Sequence, residues 1–235
     1  MTRLIPFLLL MVGIPLMGQS DYPSPSQLVN SIKQLQQANA SKMKVEELAT
    51  TEGGMPIHVI TLSNDMSNAE QNPALAIVAG VEGAHLFGSS LALEVASAML
   101  QDDEASKLLD EVTVYIIPQG APDAAQAYFQ SPKQQRSGNA KSTDDDRDGR
   151  FDEDPAEDLN GDGMITMMRI KDETGSYKLH PADDRVLIKA NMDKAEKGMY
   201  RLLIEGRDND KDGAFNEDGQ GGINFNQNLT FNFKH

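Results

Sequence analysis

The chain has 235 residues, a formal net charge of −15 and no cysteine. So acidic a surface repels phosphate backbones and excludes nucleic acid as a partner. The absence of cysteine excludes both a disulfide framework and a cysteine-linked lipid anchor. Residues 1–20 have the pattern of a secretory signal peptide. Arg3 opens it, an apolar run covers 4–17, and Gly18, Gln19 and Ser20 form a small or polar exit. Pro6, Gly13 and Pro15 interrupt a stretch already short for spanning a bilayer, so no membrane span is expected after cleavage. The expected location is secreted or periplasmic. The remainder is long enough for one domain or one and a half.

Ser26 is expected to cap a helix running to about Ala40, with Leu28, Ile32 and Leu35 on one face. Strand-like stretches follow at 43–49 and 56–62, joined by a turn at Gly53 and Gly54. The run 74–79 is wholly apolar, as expected of a strand buried on both faces. A helix over 88–101 and a second buried strand over 112–117 complete an α/β order.

Between the strand at 74–79 and its helix lies Gly80-Val81-Glu82-Gly83-Ala84-His85-Leu86-Phe87-Gly88. Active sites of open α/β sheets gather at strand ends. Two residues separate Glu82 from His85, so a bent loop aims carboxylate and imidazole at one point, a candidate zinc half-site. The other reading is a capping glutamate beside a structural histidine.

Composition changes from Thr143 onward. Three loops place oxygen ligands at alternate positions before a glycine: Asp144, Asp146, Asp148 and Gly149; Asp158, Asn160, Asp162 and Gly163; Asp208, Asp210, Asp212 and Gly213. Alternate side chains converge on one centre and glycine permits the sharp turn, which is the pattern a calcium ion requires. Asp152 and Asn216 are further candidate calcium ligands after the first and third glycines. The twelfth positions, Pro155, Arg169 and Gly219, provide no bidentate glutamate, so no helix-loop-helix is implied. Residues 144–162 hold ten acids against Arg147 and Arg150, a crowding that solvent or bound cations must relieve. Short strand-like pieces at 164–170, 186–189 and 199–204 lie between the loops.

After them comes Gly221-Gly222-Ile223-Asn224-Phe225-Asn226-Gln227-Asn228-Leu229. Together with the Glu82–His85 loop and the stretch VTVYIIPQGAPD at 112–123, this string resembles the zinc carboxypeptidase family, the carboxypeptidase A-like metallopeptidases. That family pairs a His-x-x-Glu loop after a buried strand with a later Gly-Val-Asp-Leu-Asn-Arg-Asn-Phe segment. Some bacterial relatives have similar Asp-rich loops between the two motifs. The resemblance implies zinc at Glu82 and His85, with the motif inverted in order, and carbonyl polarisation by Arg136. It also implies substrate contact at Asn226 and Gln227, where Gln227 stands in place of the family's arginine. A neutral amide does not reproduce a bidentate guanidinium–carboxylate pair, so preference for a free C-terminal carboxylate is expected to weaken. The family's third zinc ligand and general base lie well downstream of this segment and are not expected in this chain.

The implied fold is α/β: a mixed, mostly parallel sheet with helices on both faces, carrying an acidic calcium-loop insertion and truncated at its end. The expected division is a signal peptide at 1–20, the first part of the α/β domain at 21–142, the insertion at 143–220, and a continuation at 221–235. The implied function is that of a secreted zinc metallocarboxypeptidase-like protein hydrolysing peptide bonds, incomplete or inactive as it stands. Alternatives are a catalytically dead, calcium-stabilised relative that binds peptides, and a calcium-binding structural module. Zinc and calcium are the expected cofactors, and a peptide or protein the expected partner.

Overall fold

The structure, a computed structural model, describes residues 22–144, 147–152, 154–209, 211, 213–216 and 222–228. The expected leader at 1–20 and the candidate ligands Asp146, Asp210 and Asp212 lie outside the described residues. Helix α1 (Pro25–Ala38) is capped by Ser24 and not by Ser26. The Ser24 hydroxyl accepts the Gln27 N–H at 3.3 Å, and Gln27 Oε1 accepts the Ser24 N–H at 2.8 Å. This reciprocal box outcompetes a cap two residues later because Pro25, with its fixed φ, already suits the first helical position.

Strands β1 (Met43–Thr50) and β2 (Pro56–Leu62) form an antiparallel hairpin whose turn uses Gly54 at φ 74°. Strand β3 (Ala74–Val78) leads into helix α2 (Phe87–Gln101), then the short α3 (Asp103–Lys107), strand β4 (Thr113–Ile117) and helix α4 (Pro122–Ala127). The sheet order is β1-β2-β4-β3. Across β2 and β4, Ile60 pairs with Ile116 and Leu62 with Val114, so all four side chains point to one face. Leu28 and Ile32 of α1 and Ala92, Ala96 and Leu100 of α2 close over them as one apolar core.

The class is α/β and the sheet mixed, as expected. Of its three strand pairs only β3–β4 is parallel, because the β1–β2 hairpin docks antiparallel on β4. Both long helices contribute to the same core instead of flanking the sheet. The expectation that 74–79 is buried on both faces is corrected: Leu75 is 43% and Val78 48% exposed, because among the described residues β3 stands at the edge of that sheet. Its apolar run identified a strand but could not identify its place in the order.

Beyond α4, β5 (Lys133–Gln134) pairs in parallel with β6 (Met164–Ile165). A second sheet contains β7 (Met167–Lys171), β8 (Tyr177–His180), β9 (Asp183–Lys189) and β10 (Tyr200–Ile204) in the order β7-β10-β8-β9, all antiparallel. Among the described residues no helix is long and apolar enough to cross a membrane. Ile116 is fully buried between the helices and the sheet. Ile116→Ala is expected to lower stability by about 2–5 kcal/mol, whereas Leu75→Thr on the exposed edge stays within about 0.5 kcal/mol. Urea denaturation of the two variants checks the contrast.

Candidate metal and peptide site

The loop after β3 is held by the segment after β4. The Ala79 N–H donates to the Ile117 carbonyl, the Gly120 N–H to that of Ala79, and the Ala121 N–H to that of Gly80, which extends the parallel pairing past both strands. Gln119 accepts from Ser89 Oγ at 2.7 Å and donates to the Gly80 carbonyl at 3.3 Å. Gly80 has φ 57°, and a Cβ there would meet Ser89 Oγ at 2.6 Å. At Gly83 a Cβ would stand 2.1 Å from that of Ala124, so only glycine lets the loop lie against α4.

Glu82 and His85 lie on one hydrogen-bonded turn, with the His85 N–H donating to the Glu82 carbonyl at 2.9 Å. His85 is exposed. Glu82 is half-buried, and its Oε1 is buried without a hydrogen-bond partner. A buried carboxylate oxygen left unpaired costs free energy unless a cation meets it. That carboxylate oxygen and the exposed His85 imidazole are donor types that zinc accepts. Among the described residues no group of three or more His, Cys, Asp or Glu side chains is arranged to hold a metal.

Arg136 is half-buried and donates through Nη2 to the Asn139 carbonyl. Burial lowers its pKa, while Asp123 and Asp152 nearby raise it, and the guanidinium remains charged. Asn139 ties this segment to the later motif: its N–H donates to the Ile223 carbonyl at 3.1 Å, and its Oδ1 accepts the Ile223 N–H at 2.8 Å. Asn224 Oδ1 accepts the Asn226 N–H at 2.9 Å, and Asn226 and Gln227 lie exposed on the short 3₁₀ turn Phe225–Gln227. Thr51, Asp123, Asn139, Ile223, Phe225 and Asn228 help line a cleft of about 490 Å³ beside this junction.

Asp123 is a residue sequence reasoning passed over. It is 7% exposed, and it accepts Thr51 Oγ1 at 2.5 Å, the Gly53 N–H at 3.2 Å and the Ala140 N–H at 3.0 Å. One carboxylate thus joins the β1–β2 turn, α4 and the chain leaving Arg136. It closes the stretch 112–123, where the resemblance gave it no role, and the structure places it in the first turn of α4.

The acidic loops share a shape. The glycine N–H donates back to the first aspartate at Gly149–Asp144 (3.2 Å), Gly163–Asp158 (2.8 Å) and Gly213–Asp208 (3.1 Å). Left-handed residues recur at Arg147 and Gly149, at Gly161 and Gly163, and at Lys211 and Gly213. Asp148 Oδ1 accepts the Arg150 N–H at 2.7 Å, and Asn160 Oδ1 that of Asp162 at 2.8 Å. Asp152 and Asn216 are also left-handed, at φ 55° and 56°. Asp152 closes the first loop, accepting the Thr143 N–H at 3.2 Å.

The other two loops are held by the buried carboxylates of Asp154 and Glu205. The hydrogen bond from the Thr166 hydroxyl, helped by backbone N–H groups, lowers the Glu205 pKa. A depressed folded pKa means that this stabilisation is complete above the unfolded value of about 4.3 and is lost as pH falls through the lower folded value. Glu205→Gln is accordingly expected to be less stable than the parent at neutral pH and to flatten the loss of stability on acidification. Thermal melts of both proteins between neutral pH and about pH 3 test this; parallel curves would contradict it.

The profile of the zinc carboxypeptidase family matches residues 28–175, from within α1 to just past β7. No match was found among curated proteins. Among solved structures, similarity extends to a metallo-carboxypeptidase from Burkholderia cenocepacia, at 22% identity over 42% of this chain and 27% of that one, with a TM-score of 0.38. It extends also to carboxypeptidase A from Helicoverpa armigera, at 14% identity over 52% and 30% with a TM-score of 0.45. Bovine thrombin-activatable fibrinolysis inhibitor, solved with a tick carboxypeptidase inhibitor, matches at 14% identity over 47% and 34% with a TM-score of 0.41. The chain spans about a third or less of the length of these structures. With well over half of its residues matched by that profile, the chain belongs to the zinc carboxypeptidase family.

Proposed function

We propose that the chain is the peptide-handling part of a secreted zinc metallocarboxypeptidase-like protein. The observation that carries this reading is the orphaned Glu82 Oε1, buried on the same tight turn as His85. Glu82 and His85 hold zinc, which supplies Lewis acidity toward a peptide carbonyl when bound. Arg136 polarises that carbonyl, its charge kept in a half-buried setting by Asp123 and Asp152. Asn226 and Gln227 contact the end of the peptide through neutral amides, so a free terminal carboxylate is bound less tightly than an arginine would bind it. Support for one shared site comes from the Asn139–Ile223 hydrogen bonds, which tie the Arg136 segment to the asparagine-rich turn.

If this is correct, the double variant Glu82→Ala/His85→Ala loses about one zinc per chain relative to the parent after equilibrium dialysis. A parent that retains no zinc, or a variant that retains as much, removes the assignment.

The finer reading adds calcium at the three acidic loops, within an insertion spanning 143–220 of a protein exported by the leader at 1–20. Its support is the recurrence of one loop shape around Asp144, Asp158 and Asp208, with Asp148, Asn160, Asp162, Asp152 and Asn216 as further oxygen donors. Loop order then becomes a binding equilibrium. Calcium at a hundredfold excess over its Kd stabilises one site by about 2.7 kcal/mol. The melting temperature is expected to rise with calcium and fall back with EDTA, while magnesium at equal concentration has a smaller effect. A melting temperature indifferent to calcium rejects this part without touching the zinc assignment.

A further inference from the structure

The three acidic loops share a shape, but they are closed in different ways. The first closes on its own flanks: the Asp152 N–H donates to the Thr143 carbonyl, and Asp152 Oδ1 accepts the Thr143 N–H, both at 3.2 Å. The second is closed by Glu205, which stands just before the third loop. Glu205 Oε1 accepts the N–H groups of Leu159 and Asn160 at 2.8 and 3.2 Å. Its Oε2 accepts the N–H and hydroxyl of Thr166 at 3.1 and 2.9 Å. Its backbone joins in, with the N–H donating to the Thr166 carbonyl and the carbonyl accepting the Glu157 N–H, each at 2.9 Å.

The third loop is closed by Asp154, which stands just before the second. Asp154 Oδ1 accepts the Asn209 N–H and Oδ2 the Asn216 N–H, both at 2.7 Å. Asp154 is 1% exposed and Glu205 4%. Carboxylates this far from water cost free energy unless donors replace their hydration. For each of them, those donors come from the loop that the other one precedes: backbone N–H groups, joined at Glu205 by the Thr166 hydroxyl.

We propose that Asp154 and Glu205 form a reciprocal latch, so that the second and third acidic loops order and release as one unit while the first remains independent. The coupling has a path in both directions. Asn216 Nδ2 donates to the Ile204 carbonyl at 2.7 Å, and a Cβ on buried Gly206 would stand 1.9 Å from Asn216 Oδ1. When the third loop leaves Asp154, Asn216 leaves with it, and the strand end carrying Glu205 loses its cover. When the second loop leaves Glu205, the Glu157–Glu205 backbone bond breaks, and the stem carrying Asp154 is free to swing. A ligand that orders either loop therefore orders the other. The contacts of the latch run between protein groups, and its test is separate from that of the cation reading.

Amide hydrogen exchange of the full chain in EDTA at neutral pH tests the latch. Glu205→Gln leaves one acceptor oxygen where two served, and its new NH₂ faces donors. In this variant exchange at Leu159, Asn160 and Thr166 is expected to quicken at least tenfold, with Asn209 and Asn216 quickening by a similar factor. Gly149 and Asp152 of the first loop, and Ile60 and Val114 of the core, keep parent rates. Asp154→Asn gives the same pattern from the other side. Acceleration confined to the loop that lost its carboxylate overturns the proposal, as does equal acceleration in the first loop. Should both variants also loosen the core, Asn216→Gly decides. Glycine tolerates the left-handed backbone and removes only the bond to Ile204, so Leu159 and Asn160 must still quicken together with Asn209.

Discussion

A carboxylate removed from water loses several kcal/mol of hydration, and it stays in place only where other donors surround it. This chain imposes that condition on Asp123, Asp154 and Glu205, and much of its irregular structure follows from meeting it. Each is satisfied mainly by backbone N–H groups of loops distant in sequence. Those loops have few apolar side chains with which to pack. The buried acids therefore act as the fixed points around which segments without a hydrophobic core of their own become ordered. A neutral amide of similar size keeps one acceptor oxygen where two served and turns an NH₂ toward the remaining donors, so some of these N–H groups lose their partner.

Asp123 brings this constraint to the candidate site. The sheet delivers Glu82 and His85 at the end of β3, and hydrogen bonds at Asn139 deliver the asparagine-rich turn. Asp123 stands between the two regions, holding the Thr51–Gly53 turn and Ala140 while adding negative charge near Arg136. The β4–α4 segment thus serves two purposes. Gln119 and Ala124 set the shape of the Glu82 loop, and Asp123, within the same few residues, sets the cleft.

Regular structure was largely legible in the sequence, because apolar runs and turn residues report it locally. The strand Pro56–Leu62 has the expected bounds, and α2 begins one residue before its expected start. Misreadings occurred where a local signal had two solutions or none. Ser24 and Ser26 both stand at the helix start as possible caps, and the reciprocal bond to Gln27 singles out Ser24. Strand β8, Tyr177–His180, is only four residues long, too short for its apolar–polar alternation to stand out. The edge position of β3 depends on pairing order, which no run of apolar residues encodes. Glu82 and His85 were legible as a pair, but the buried oxygen that distinguishes Glu82 was not. The partners of Asp154 and Glu205 lie 39 to 62 residues away, so nothing near either acid in sequence marks it as buried.

The edge of the first sheet has a colloidal consequence. Among the described residues β3 pairs only with β4, and its other side presents Ala74 to Val78 without a lysine, a bulge or an inward charge to discourage a second strand. In dilute buffer the net charge of −15 keeps copies of the chain apart over distances much longer than a hydrogen bond. Added salt shortens that reach to about 3 Å at 1 M, near contact, and an apolar edge then governs what happens when two molecules meet. For an edge like that of the described residues, ionic strength joins concentration in setting how readily two chains meet strand by strand.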